Sequence, residues 1–156
     1  MTFVGHRNGG IIASLIIGLG GVFLQFSMIT IGIMMISTFI FSLYPDCDIK
    51  SKSSKLVYLL SVPFVYYLFV NQYLFLLGMC LGILITPQIS KHRGFTHSLF
   101  SMVIISWCWS FIISSLKICD VQSIFSIDSF RIDNIMIASS IGYLTHLILD
   151  WRIKLI

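Results

Sequence analysis

The sequence has no glutamate and few charged residues of any kind. Only 10% of its 156 residues are charged, whereas 57% are hydrophobic. A soluble domain carries about 25% charged residues, so this composition excludes a water-facing surface over most of the chain. The N-terminus also lacks the pattern of a cleavable signal peptide, and we expect the first apolar segment to stay in the mature protein. These absences predict an integral membrane protein.

Cysteine spacing argues against a thiolate metal site. The four cysteines form no CxxC pair and show no zinc-finger spacing. Three of them lie in or beside apolar stretches, where a free cysteine behaves as a small hydrophobic residue. We therefore expect no structural disulfide and no structural zinc site. Metal-binding chemistry in this chain would rely on its six aspartates and four histidines.

Long apolar runs predict paired helices. Residues 9–43 would form a helix of ~50 Å at 1.5 Å per residue, too long for a hydrocarbon core of ~30 Å, so a turn near residues 25–27 is expected. Residues 56–86 break in the same way at 71–72. Each half of this second run has only about 15 residues, so that pair is either tilted or re-entrant. The Gly9–Gly10 pair is expected to serve helix packing.

Two further spans complete the predicted fold. Residues 95–116 and 135–149 read as single spans, separated by a more polar loop at 118–133. The sequence therefore predicts an all-α polytopic membrane bundle of about six helices. We expect residues 1–156 to form a single membrane-embedded domain.

Counting the spans places the ionisable residues. If the chain starts on side A, both hairpins return it to side A, and the last span ends there. All four histidines then lie near side A, with Asp46, Asp48 and Asp150. Lysines and arginines divide eight to two in favour of side A, where we count Arg7, Lys50, Lys52, Lys55, Lys91, Arg93, Arg152 and Lys154. The positive-inside rule makes side A cytoplasmic.

The segment from His92 to Ser98, with the sequence HRGFTHS, is the sharpest motif. His92 and His97 flank the start of a predicted helix, and imidazole is the commonest metal ligand in proteins. Gly94 permits a tight turn, and Thr96 could cap the helix. The segment indicates a metal or catalytic site, although a solvated loop with two ordinary histidines is the alternative.

Asp46 and Asp48 follow Pro45 at the end of the second predicted helix. Two carboxylates at this spacing can face one cation or bridge two. The alternative is a polar stop signal at the membrane edge.

His146 and Asp150 are four residues apart, and therefore share one helix face. Both can bind a metal, or Asp150 can orient His146 from the second coordination shell. An ion pair within the helix is the remaining alternative. Tyr143, on the same face, either donates a hydrogen bond or marks the membrane interface.

Considered together, these residues predict a metal site at side A. Seven nitrogen and oxygen donors suit two metal ions, as in two-metal phosphoesterases, and the ligand set is His6, Asp46, Asp48, His92, His97, His146 and Asp150. The mixed ligands suit zinc, with manganese or magnesium as alternatives. Arg93 and Asp48 are the residues we expect to act in catalysis. Arg93 can hold an anionic substrate group, with a lipid-headgroup or structural contact as the alternative.

Four segments resemble the YdjM-type inner-membrane, metal-dependent hydrolases. They are Gly5-His6, the LYPDCD segment ending at Asp48, the HRGFTHS segment, and the GYLTHLILD segment ending at Asp150. Some members of that family are under LexA (SOS) control. The family is thought to be distantly similar to zinc-dependent phospholipase C and single-strand nucleases. This resemblance implies zinc and a phosphoester substrate.

Three functions follow as hypotheses. The first is a membrane-bound hydrolase that uses metal-activated water on a phosphoester, most simply a phospholipid because the site lies at headgroup level. Nucleic acid is disfavoured as a substrate, since no extended basic and aromatic surface is visible. The second is a metal transporter or metal-binding membrane protein without hydrolase activity, which would need ligands along the whole path. The third is a scaffold protein with a structural metal.

Overall fold

The described part of the chain folds as six α-helices. The computed structural model describes residues 3–47, 51–90, 95–117, 123–127 and 130–150. These residues confirm the all-α bundle, and the helices are α1 (Phe3–Phe23), α2 (Met28–Leu43), α3 (Lys52–Val70), α4 (Leu74–Ile89), α5 (Leu99–Leu116) and α6 (Asn134–Leu149). Two short 3-10 turns, Tyr44–Asp46 and Phe95–His97, follow α2 and precede α5.

Both long apolar runs break where their polar residues stand. Gln25 and Gln72 adopt positive φ, at 58° each, a conformation that ends a helix. Ser27 then caps α2 by accepting a hydrogen bond from the Thr30 amide. The predicted turns at residues 25–27 and 71–72 are therefore confirmed.

Three details of the sequence reading were wrong. The first half of the second run is longer than expected, because Ser51 caps a 19-residue α3 that starts in the polar segment before residue 56. Ser98, and not Thr96, caps α5, because the Ser98 hydroxyl accepts from the Ser101 amide. The polar loop at 118–133 contains an antiparallel β-hairpin of strands β1 (Ser123–Ile127) and β2 (Phe130–Asp133).

The outer surface of the bundle is apolar, as a lipid-facing surface must be. Large side chains such as Leu19, Phe23 and Ile89 are 71%, 86% and 81% exposed. Buried serines and threonines lie inside, and many of them donate to a carbonyl three or four residues back in their own helix. Three described helical segments, Met28–Asp46, Lys52–Val70 and Leu99–Leu116, are long and apolar enough to cross a membrane. Apolar side chains outside and hydrogen-bonded polar side chains inside are the distribution expected of the predicted membrane protein.

Close backbone contacts hold α2 against α1 and α6. A Cβ at Gly142 would lie 2.1 Å from the carbonyl oxygen of Thr38, and one at Gly10 would lie 1.9 Å from the Ser42 hydroxyl. The Thr38 hydroxyl also reaches the carbonyl of Ala138 at 3.0 Å. Small residues permit such approaches between membrane helices. This packing brings the ends of α1, α2 and α6 together at side A.

We predict that Gly142→Ala lowers the free energy of unfolding by about 1–3 kcal/mol, because the added methyl group must displace the backbone of α2. Gly32→Ala, in α2, is the matched control, since a Cβ there would meet no atom within 4 Å. Thermal unfolding of both variants in detergent micelles measures the difference. Equal stability of the two variants would contradict the close α2–α6 contact.

Candidate metal centre

Five polar side chains from four helix ends meet at side A. His6 lies near the start of α1, Asp46 in the 3-10 turn after α2, and His97 in the 3-10 turn before α5. His146 occupies the last turn of α6, and Asp150 is the C-cap of that helix. The structure therefore brings together five of the seven predicted ligands, although they are up to 144 positions apart in the sequence.

Four of these residues form a compact group of donor atoms. Asp46, His97, His146 and Asp150 each offer one ligand atom, and the four atoms all lie within 4.8 Å of one another. The Nε2 atoms of His97 and His146 lie 3.5 and 3.6 Å from Oδ1 of Asp46, and 3.7 and 3.8 Å from Oδ2 of Asp150. These separations are longer than hydrogen bonds and close to the ~3.4 Å between ligands of a tetrahedral zinc ion. The arrangement fits a divalent cation.

His6 joins the group from the first helix. Its Nε2 atom lies 3.1 Å from Oδ1 of Asp150 and 3.8 Å from Oδ2 of Asp46. Its ring stacks on His146, with 4.1 Å between the ring centroids. His6 is 1% exposed, and its Nδ1 atom has no hydrogen-bond partner among the described residues. A buried imidazole of this kind costs stability unless a partner such as a metal ion satisfies it.

The backbone of α2 orients His146. The Nδ1 atom of His146 lies 2.9 Å from the carbonyl oxygen of Ser42. A carbonyl can only accept, so Nδ1 carries the proton and Nε2 presents its lone pair to the two aspartates. This is the usual outer-shell arrangement of a metal-binding histidine. The alternative, in which Asp150 orients His146 from the second shell, is not the one seen. Asp150 faces Nε2, the atom that would bind the metal, and the Ser42 carbonyl orients the ring through Nδ1.

The group combines burial with negative charge. The side chains of the three histidines are at most 2% exposed and that of Asp150 is 6% exposed, whereas that of Asp46 is 24% exposed. With neutral imidazoles, the two carboxylates leave two negative charges in a largely buried volume, and burying such charge is costly without a counter-ion. A divalent cation would compensate this charge. The exposed edge of Asp46 is the side from which the group can be reached.

Burial of Asp150 opposes its ionisation. The pKa of this carboxyl nevertheless lies below its usual value, and the positive charge that His146 and His6 can carry is among the causes. The carboxylate form, which binds metal, is therefore the favoured form at neutral pH.

Two supporting contacts fix the turn that carries His97. The buried Tyr143 hydroxyl donates to the carbonyl of Thr96 and lies 2.9 Å from the Ser101 hydroxyl. The Thr96 hydroxyl lies 3.5 Å from the carbonyl of Pro45, next to Asp46. Of the two roles predicted for Tyr143, the structure therefore shows the hydrogen-bond donor. A residue that is 0% exposed cannot mark the membrane interface.

Three predicted site residues lie outside the described residues: Asp48, His92 and Arg93. One contributor was missed, namely the Ser42 carbonyl that orients His146. No sequence signal could have identified it, because every residue carries a backbone carbonyl.

We predict that the protein, purified without chelator, carries at least one divalent ion per chain, and that Asp150→Asn lowers the metal content at least tenfold. Asp133→Asn is the matched control, because Asp133 caps the other end of α6 and accepts from Ser110. Elemental analysis of the three proteins measures the ratio. Metal-free wild-type protein, or equal loss in both variants, would contradict the site.

Comparison with known proteins agrees with the resemblance seen in the sequence. The family described as YdjM inner membrane protein matches residues 1–154. No curated protein and no solved structure is significantly similar to the chain. The match covers every helix of the bundle and all five residues of the candidate metal centre. The chain therefore belongs to the YdjM inner membrane protein family.

Proposed function

We propose that this protein is a metal-dependent hydrolase of the inner membrane that cleaves a phosphoester at the lipid headgroup level. The observation that carries the proposal is the grouping of Asp46, His97, His146 and Asp150 within 4.8 Å at one end of an apolar bundle. Such a mixed set of imidazole and carboxylate donors is common to hydrolytic metal sites, whereas structural zinc sites favour thiolates.

The described residues would hold one ion through Asp46, His97, His146 and Asp150, with His6 as a further donor. Zinc suits this set best, and manganese or magnesium are the alternatives. A second ion would require Asp48 and His92, which the sequence places beside the same group. When bound, a divalent ion lowers the pKa of a water molecule and polarises a phosphoryl oxygen.

The protein's own groups position the metal ligands and shield part of the site from water. The Ser42 carbonyl fixes the tautomer of His146, and Tyr143 fixes the turn that carries His97. A buried aromatic cluster that includes Phe41, Tyr44 and Tyr143 lies beside the centre and shields that side of it from water. Asp46 is the most exposed of the ligands in this group. We assign substrate binding to Arg93 and the role of catalytic carboxylate to Asp48.

A phospholipid is the substrate class that the location favours. The centre lies at the ends of α1, α2 and α6, which we place at the headgroup level of the membrane. By the positive-inside rule, this end faces the cytoplasm. A lipid phosphoester in the cytoplasmic leaflet would therefore reach the site without leaving the membrane.

A metal transporter is the second candidate, and the distribution of ligands separates the two. A path across the membrane needs ligands through the bundle and at its far end. Within the described ranges, the one group of metal-binding side chains lies at side A. At the far end, the Asp133 carboxylate caps α6 and accepts from the Ser110 hydroxyl, which gives it a structural role. This distribution supports a surface site over a path.

We predict that the protein reconstituted in phosphatidylcholine vesicles releases a phosphoester cleavage product, and that His97→Ala lowers the rate at least about a hundredfold, since even outer-shell changes cost 10–100-fold. Chelator should abolish the activity and added zinc should restore it. Product is measured by mass spectrometry of the lipid extract, with a soluble phosphodiester assayed in parallel.

Asp133→Asn serves as the control and should retain the wild-type rate. Bound metal without hydrolysis of any phosphoester would contradict the hydrolase and favour the transporter or a structural metal.

A further inference from the structure

A large apolar cavity lies inside the bundle, beside the metal centre. Its volume is about 430 Å³, and helices α2, α3, α4 and α5 contribute its walls. Protein interiors are packed with few voids larger than a water molecule, whereas ligand pockets measure about 300–1,000 Å³. The volume of this cavity is therefore in the range of ligand pockets.

The walls offer almost nothing to a polar ligand. The Ser37 hydroxyl accepts from the indole of Trp109 at 2.9 Å, and the Ser61 hydroxyl donates to the carbonyl of Val57 at 2.8 Å. The Tyr44 hydroxyl donates to the carbonyl of Ile83 at 2.6 Å. Three of the hydroxyl groups that line the cavity are thus engaged within the protein. A water molecule would find few hydrogen-bond partners in such a cavity, so a hydrocarbon chain is the occupant that fits it.

The cavity opens sideways to the bilayer. Ile36 of α2 and Leu60 of α3 line it, yet they are 58% and 43% exposed on the lipid-facing surface. Toward side A, Tyr44 and Tyr58 donate hydrogen bonds to carbonyls of α4, so each of the two helices is tied to α4 there. An acyl chain can therefore enter the cavity from the membrane, between α2 and α3, without crossing water.

The depth of the cavity matches one leaflet. Its lining extends from Ile33 of α2 to Tyr44 of the 3-10 turn that follows, and along α3 from Val57 to Tyr67. At 1.5 Å per residue these stretches measure about 15–17 Å, which is about half of a hydrocarbon core of ~30 Å. An acyl chain that hangs from the headgroup level of side A would span the same depth.

The upper end of the cavity adjoins the metal centre. Tyr44 lines the cavity and begins the 3-10 turn that carries Asp46, the most exposed ligand. A lipid whose chain occupies the cavity would present its headgroup within two residues of that carboxylate. We propose that the cavity binds an acyl chain of a phospholipid from the side-A leaflet, and that this chain positions the phosphoester for the hydrolysis proposed above, on which the inference rests.

Photo-crosslinking tests the cavity independently of any hydrolysis. The full-length protein is reconstituted with phosphatidylcholine that carries a diazirine midway along one acyl chain, and the labelled residues are mapped by mass spectrometry. We expect labelling at Phe64 and Trp109, whose side chains line the cavity. Labelling confined to outward-facing residues such as Phe23 and Phe69 would overturn the proposal.

Ser61→Phe places a ring in the cavity and should lower the labelling of Trp109 about tenfold, which corresponds to ~1.4 kcal/mol. Ser115→Phe is the matched control, because Ser115 also donates to a carbonyl four residues back but lies on an exposed face of α5. Leu60→Trp, at the lateral opening, gives a second blocking variant if Ser61→Phe does not fold. Equal labelling in the folded blocking and control variants would overturn the proposal.

Competition with unlabelled lipids identifies the kind of hydrocarbon chain that the cavity binds. Unlabelled phosphatidylcholine should compete with the labelled lipid, and competition by an isoprenoid phosphate alone would overturn the assignment to an acyl chain. Cavity labelling without hydrolysis would reject the proposed function and keep the lipid site. Hydrolysis of a soluble phosphodiester without cavity labelling would reject the lipid site and keep the hydrolase.

Discussion

Two carboxylates, one buried and one partly exposed, face three buried imidazoles at one end of this bundle, and the need to compensate their charge is the constraint on which the structure depends. Asp46 and Asp150 come from the ends of α2 and α6, and the histidines come from α1, α5 and α6. Neutral histidines leave the carboxylate charge uncompensated, and protonated ones place several charges in a largely buried volume. A divalent cation resolves both problems, and it would tie four helix ends together.

The rest of the bundle is built so that these ends can meet. Glycines at positions 10 and 142 remove the side chains that would separate α2 from α1 and α6. The Ser42 carbonyl then lies where it can orient His146, about one turn of α2 away from the Thr38 contact with α6. In a membrane the helices gain little from burying apolar surface, so close packing and internal hydrogen bonds carry this role. The close packing of the helices and the arrangement of the candidate metal ligands therefore depend on each other.

The sequence predicted much of this because polar residues are rare in it. Each glutamine or asparagine within an apolar run had to mark a turn, and counting the spans then placed His6, His97 and His146 on one side. Local caps were harder, because Thr96 and Ser98 are both good caps and only the backbone decides between them. The β-hairpin was missed because the β1 sequence, SIFSI, lacks the strict alternation of apolar and polar residues that indicates a strand. The cavity and the Ser42 carbonyl depend on three-dimensional packing and leave no motif.

The central claim is that imidazoles and carboxylates, and no thiolate, bind a divalent cation at side A. Cys47 makes this claim sharply testable, since it is buried next to Asp46. X-ray absorption spectroscopy of the zinc-loaded protein measures the ligands directly. The account predicts a nitrogen and oxygen shell at about 2.0–2.1 Å with the scattering pattern of imidazole. A sulfur shell at about 2.3 Å, or an ion without imidazole scattering, would contradict it.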